Sequence, residues 1–143
     1  QALKEKRGEF TVYTAHEWLV DTLNEWPPVS VSDEEPWYLM AHCTEKTKIP
    51  LTEKSWQSIF HHFGLKLHVI PTGCCGMAGT FGHEVDKKST SEAIYQLSWK
   101  PNIKNLPTER VLATGYSCRS QVKRFEGEVV RHPVQVLASL FNA

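Results

Sequence analysis

Two adjacent thiols, Cys74 and Cys75, sit in the stretch Pro71-Thr72-Gly73-Cys74-Cys75-Gly76-Met77-Ala78-Gly79-Thr80-Phe81-Gly82-His83-Glu84, where glycine recurs at 73, 76, 79 and 82. Recurrent glycine lets a loop take positive φ and wrap closely around another group. Cys43 and Cys118, the other two cysteines, each follow an apolar run, as the doublet follows Leu67 to Ile70. Four thiolates gathered in one place suit tetrahedral zinc or an iron–sulfur centre. The spacing matches neither a zinc finger nor a common ferredoxin cluster. Adjacent cysteines cannot easily share one tetrahedral ion but can hold neighbouring irons, so the doublet leans toward a multi-iron centre. Two other chemistries stay open: burial as small hydrophobes, and exchange of a disulfide between the doublet and Cys43 or Cys118, which needs Cα atoms within about 7 Å.

Around these sulfurs, His42 and His83 could ligate a metal, donate hydrogen bonds to sulfur or move protons. His61 and His62 fall at a helix end, where the dipole alone favours them, and His16, His68 and His132 carry no comparable signal. The glycine series lacks the G-x-G-x-x-G and terminal Gly-Lys-Ser/Thr patterns of phosphate loops. No Ser-His-Asp set or carboxylate pair stands out.

The elements that must position the thiols follow from periodicity. Phe10 to Tyr13 reads as a short strand after a polar lead-in at residues 1–9. Thr14 and Glu17 have capping-box spacing ahead of a helix from about Ala15 to Glu25, which Pro27-Pro28 stops. Trp37 to Ala41 is an apolar run of strand length ending at His42-Cys43. Thr52 can cap a helix with Trp56, Ile59, Phe60 and Phe63 on one face, closed by Gly64. Leu65 to Ile70 is the next strand. Ser89 and Glu92 form a second capping box, for a helix ending before Pro101. Arg110 to Thr114 is a strand whose turn, Gly115-Tyr116-Ser117-Cys118, enters a helix ending at Gly127. Glu128 to Val130 reads as a fourth short strand, and Pro133 opens a last helix with Val134, Leu137, Leu140 and Phe141 on one face.

Strands that alternate with helices and are apolar throughout predict an α/β fold: a three-layer sandwich with a mostly parallel sheet of about four strands and helices on both faces. In such sheets the strand-to-helix loops emerge at the carboxyl edge, where ligands bind. All four cysteines lie just past strand ends, so their convergence is the main expectation. Cys118 at a helix start, and the doublet among free backbone N–H groups, should favour thiolate.

A chain of 143 residues holds one ordinary core, read as an N-terminal lead-in and helix at 1–35 packed on a cysteine-rich domain at 36–143. Lys plus Arg and Asp plus Glu number 16 each, which removes the usual motive for a nucleic-acid partner. The basic run Arg119, Lys123, Arg124, Arg131 and the acidic turn Asp33-Glu34-Glu35 read as solvated surface. No stretch approaches the roughly 20 apolar residues of a spanning helix. Few cysteines, not singly spaced, point to a reducing compartment rather than a disulfide scaffold: the cytoplasm, or the periphery of an inner membrane.

The pattern His42-Cys43-x-x-Lys46, the glycine-rich Cys74-Cys75 stretch, Thr114-Gly115-Tyr116-Ser117-Cys118-Arg119-Ser120-Gln121 and His132-Pro133 resembles the cysteine-rich CCG domain. That domain occurs in heterodisulfide reductases and in iron–sulfur subunits of glycolate oxidase and anaerobic glycerol-3-phosphate dehydrogenase. The Met77 to Glu84 extension and Cys118-Arg119-Ser120-Gln121 look most like the C-terminal part of bacterial FAD-linked D-2-hydroxyacid dehydrogenases, the D-2-hydroxyglutarate type included. The resemblance covers about Trp37 to Leu140. It implies an electron-transfer module with Cys43, Cys74, Cys75 and Cys118 as ligands and His42, Lys46, His83 and Arg119 around them. FAD-binding and ferredoxin-like domains of the same polypeptide or complex would be its partners, with FAD bound there and not here. Where the family's complete motif ends in C-x-x-C, this chain has Gln121, so four of five thiolates remain. That leaves an iron–sulfur cluster with another ligand, zinc, an empty site serving as a scaffold, or a thiol–disulfide domain.

Overall fold

A computed structural model describes residues 5–7, 10–27, 29, 33–43 and 52–141. Lys46 therefore lies outside the described residues. Strands β3 (Trp37–Met40), β4 (Leu67–Val69) and β5 (Val111–Ala113) form a parallel sheet in the order β4-β3-β5. Ahead of it, β1 (Glu5–Arg7) and β2 (Phe10–Val12) pair antiparallel, so part of the predicted polar lead-in is a hairpin strand. The helices are α1 (Ala15–Thr22), α2 (Thr52–His62), α3 (Lys88–Ser98), α4 (Lys100–Ile103), α5 (Tyr116–Glu126) and α6 (Pro133–Ser139). None of the described helices is long and apolar enough to cross a membrane.

Period-two alternation along the strands divides the interior into two layers. Trp37 and Leu39 of β3 and Leu112 of β5 join Leu19, Trp56, Ile59, Phe60, Phe63, Val136 and Leu137 on the side of α1, α2 and α6. Met40, Val111 and Ala113 turn the other way, to Tyr95, Trp99, Ile103 and Val122 on the side of α3, α4 and α5, and to Cys75 and Cys118. A parallel sheet covered on both faces, as expected, is what the apolar strands β3 and β5 require, whereas the edge strand β4 leaves His68 exposed.

Local signals decide several boundaries. Glu17 accepts from the backbone N–H and the hydroxyl of Thr14 at 2.9 and 2.8 Å, completing one predicted capping box. The second does not form: a 3-10 turn, Val85–Lys87, runs directly into α3, and the helix needs no serine cap. Gly127 closes α5 at φ 72°. The fourth strand shrinks to a single bridge between Arg131 and Leu112, because little chain remains between that left-handed glycine and the helix opened by Pro133. On α6 the buried residues are Pro133, Val136 and Leu137, whereas Val134 is exposed, so the predicted face is rotated. Asp33 of the acidic turn is not simply solvated: it binds both terminal nitrogens of Arg110 at 2.7 and 3.0 Å.

His132 caps α6 with its ring. Its Nδ1 accepts from the Val134 N–H at 3.0 Å and the ring stands edge-on to Trp56 at 5.6 Å. Burial, with Arg119 nearby, pulls its pKa from 6.5 to about 4. The cap needs neutral imidazole, and the unfolded chain takes up the proton first. The stabilisation is therefore complete above pH 6.5 and is lost as pH falls toward about 4. Urea midpoints measured across that window should fall with acidification in the wild type, and more shallowly in His132→Asn, which keeps a capping acceptor and removes the titration.

Candidate thiol site at the sheet edge

The three strands deliver their following loops to one edge. β3 leads to His42-Cys43, β4 to the doublet and β5 to the turn into α5 that carries Ser117 and Cys118. The first and third loops interlock: the His42 N–H donates to Thr114 Oγ1 at 3.1 Å and His42 Nε2 lies 3.3 Å from Ser117 Oγ. Gly115 makes this approach possible, since a Cβ there would lie 2.3 Å from His42 Cδ2 and 2.9 Å from Cys118 Sγ. Arg119 ties the same turn to the strand, donating to the carbonyls of Ala113 and Thr114 at 2.8 and 3.1 Å.

The doublet's loop is fastened differently. Four consecutive carbonyls each accept from a side chain: Gly73 from Trp99 Nε1 at 3.1 Å, Cys74 from the Ser98 hydroxyl, Cys75 from Gln121 Nε2 at 2.9 Å and Gly76 from the Ser91 hydroxyl at 2.8 Å. Gln121 Nε2 also lies 2.8 Å from Ser91 Oγ, closing a network between α3 and α5. Gly76, at φ 92°, has no room for a side chain: a Cβ would meet the Ser91 carbonyl oxygen at 2.3 Å. Beyond it the loop turns through Ala78 at φ 45°, a left-handed conformation unusual outside glycine. Arg124 then holds the Gly82 carbonyl at 2.6 Å.

Two of the four predicted thiols meet. Cys75 and Cys118, both buried, lie in the same apolar layer, and each sulfur shifts the ionisation of the other. The Cys118 thiol, aided by the Met77 N–H and the Ser117 hydroxyl, pulls Cys75 down to about 6 against the opposing effect of burial. Cys118 is pushed strongly up by its interaction with the Cys75 sulfur and by burial, with the charge of Cys75 adding to the shift. Of the two sulfurs, Cys75 is therefore the more readily ionised. Cys74 and Cys43 are half-buried, and the sulfur of Cys74 accepts from the Gly76 N–H at 3.3 Å. None of the four is in a disulfide. Among the described residues, no three His, Cys, Asp or Glu side chains are grouped so as to hold a metal ion. His42 stands beside Ser117, Arg119 braces the turn, and His83 is exposed on the 3-10 turn Phe81–His83.

Sequence reasoning identified the sulfurs but missed Gln121, Ser91, Ser98 and Trp99, which hold the doublet's backbone. In sequence Gln121 reads only as a lost ligand. The available signal was a polar residue three positions after Cys118, on the face of an amphipathic helix that turns inward.

The chain is 55% identical to the D-2-hydroxyglutarate dehydrogenase of Pantoea ananatis over 140 residues, 98% of the chain and 14% of that protein. Against the Escherichia coli protein of that name the figures are 53% over 141 residues, 99% and 14%. A component of the anaerobic glycerol-3-phosphate dehydrogenase of Escherichia coli is 31% identical over 75 residues, 52% of the chain and 19% of that protein. The chain is therefore homologous, over nearly all its length, to about one seventh of the D-2-hydroxyglutarate dehydrogenases it matches. No family model matches it, and no solved structure does.

The carbonyl network has a specific point of failure. Gln121→Met keeps the volume and removes both donor contacts, so it should cost about 2–4 kcal/mol of unfolding free energy in denaturant melts. Gln121→Ala should cost more because it also leaves a cavity. In both variants the native protein should expose Cys75 to alkylating reagents faster than the wild type does.

Proposed function

We propose that this chain is a domain of a larger FAD-linked D-2-hydroxyacid oxidoreductase, a CCG-type module whose cysteine-bearing edge holds an iron–sulfur or other soft metal centre. The observation that carries this reading is the homology to D-2-hydroxyglutarate dehydrogenases over 98% and 99% of the chain at 55% and 53% identity, joined to a buried thiolate at the edge where strand-end loops converge.

The donor types suit such a group, although among the described residues no three of them are grouped as an ion would need. Thiolate is the ligating form, and Cys75 already favours it. Cys118 is its immediate neighbour, while Cys43 and Cys74 lie on the adjoining loops with part of their surface open. These four would hold the group, which if it is an iron–sulfur centre would supply one-electron transfer and if zinc a purely structural tie. The set does not suit a five-cysteine centre, since Gln121 stands in the fifth position with its amide committed to Cys75 and Ser91. The chain's own residues hold the reduced sulfur in place: the Met77 N–H and Ser117 hydroxyl stabilise the thiolate, and the carbonyl clamps fix the loop that carries it. Flavin chemistry and the hydroxyacid belong elsewhere in the larger polypeptide.

A second reading, a metal-free module that packs against the other domains, is favoured by that same Gln121 network, which fastens the loop without any ion. The two separate experimentally. Full-length polypeptide purified without oxygen should contain iron or zinc beyond what its ferredoxin-like part holds; that excess should be lost when Cys75 or Cys118 is replaced by Ala and retained in Arg119→Lys, with the matching electron paramagnetic resonance signal disappearing if the metal is iron. Equal metal content in all variants, with four freely alkylated thiols in the native protein, would overturn the metal-centre reading in favour of the second.

A further inference from the structure

The side of the sheet away from the thiols carries an apolar groove between α1 and the end of α6. Its volume is about 160 Å³, close to that of engineered apolar cavities of about 150 Å³ that take a benzene ring. Trp18, Trp26, Phe63 and Phe141 line it together with Val134 and Ala138 of α6. The aromatic walls pack ring against ring: Trp26 stands 5.9 Å from Trp18 and 5.7 Å from Phe141, which stands 5.8 Å from Phe63. Yet Trp18 and Phe141 leave 47% and 44% of their surfaces open. Val85 and Leu97 are exposed as well but are not among the residues that line this groove. A rigid aromatic concavity with its rings half open has the composition of an interface anchor point.

We propose that this groove receives one large apolar side chain, aromatic or branched aliphatic, from another part of the same longer polypeptide. The inference rests on the reading that the chain is one domain of a larger oxidoreductase, and it names the surface through which the domain is held. The relatives leave about six sevenths of their length outside the matched region, so an intramolecular partner is at hand. Size argues for that partner over a second copy. A stable complex of free proteins buries about 1,200–2,000 Å², far beyond a groove for one side chain, whereas tethering at millimolar effective concentration lets a small contact suffice.

The test places the photoreactive residue benzoylphenylalanine at Trp18, Phe141 or, as control, Leu97 of the full-length polypeptide. Cross-linked peptides are then mapped by mass spectrometry in a mixture of isotope-labelled and unlabelled chains. Cross-links from 18 and 141, but not from 97, to one apolar segment elsewhere in the same chain are the expected result. In support, the double variant Trp18→Gln with Phe141→Gln should release this domain to limited proteolysis about tenfold faster. Cross-links joining labelled to unlabelled chains, or confined within this domain, would overturn the proposal. Flavin content and hydroxyacid oxidation of the same wild-type sample report separately on the oxidoreductase reading, so either idea can fail without the other.

Discussion

Four peptide carbonyls in a row, Gly73 to Gly76, leave the sheet and pass between two helices where water cannot reach all of them. A buried carbonyl without a partner costs about 1–3 kcal/mol, so the loop can take this path only if its neighbours supply donors in register. Ser98 and Trp99 supply two from the end of α3, Ser91 one from nearer its start, and Gln121 one from α5. The requirement reaches outward. It places polar residues on helix faces otherwise bound for the core, and it forces residue 76 to be glycine because a Cβ there would strike the Ser91 carbonyl oxygen.

This arrangement also accounts for the thiol chemistry. A thiol in an apolar layer should be harder to ionise, and Cys118 is, chiefly through its interaction with the Cys75 sulfur and then through burial. Cys75 shares that layer, but the Cys118 thiol, the Met77 N–H and the Ser117 hydroxyl favour its charged form. Hydrogen bonds to the charged form then outweigh desolvation. The asymmetry follows from the loops: the doublet's loop presents a backbone N–H to Cys75, while Cys118, inside the first turn of α5, faces that thiolate directly. A single negative charge is thus accommodated in the layer formed by Tyr95, Trp99 and Val122, and a second is disfavoured by the first.

Much of the architecture was legible because it depends on periodicity. Alternation in Trp37 to Met40 and Val111 to Ala113 separates the two layers, and the strand ends locate the loops that carry sulfur. What escaped depends on which residues, distant along the chain, come to face one another. Nothing near Ser89 and Glu92 distinguishes a capping box from an ordinary helix start once the preceding 3-10 turn runs straight in. Ser91, between them, makes its bond to the carbonyl of Gly76, on a loop that no local pattern connects to it. The thiol pair was expected as part of a fourfold set; Cys75 and Cys118 meet because both belong to the same buried layer, while Cys43 and Cys74 stay half-buried at its margin. The role of His132 was hidden because a histidine cap is indistinguishable in sequence from a surface histidine before proline.

The two layers also separate two tasks. The thiols belong to the layer of α3, α4 and α5, whereas the aromatic groove borders the layer of α1, α2 and α6, with β3 between them contributing Met40 to one and Leu39 to the other. Leu39 and Met40 are fully buried, so the central strand is held from both sides and transmits little lateral freedom. A domain built this way can be fastened to a larger body on one face without distorting a charge-sensitive site on the other. Independence of this kind protects the site, because the energy of a buried thiolate depends on hydrogen-bond distances that a shift of a few tenths of an ångström would alter.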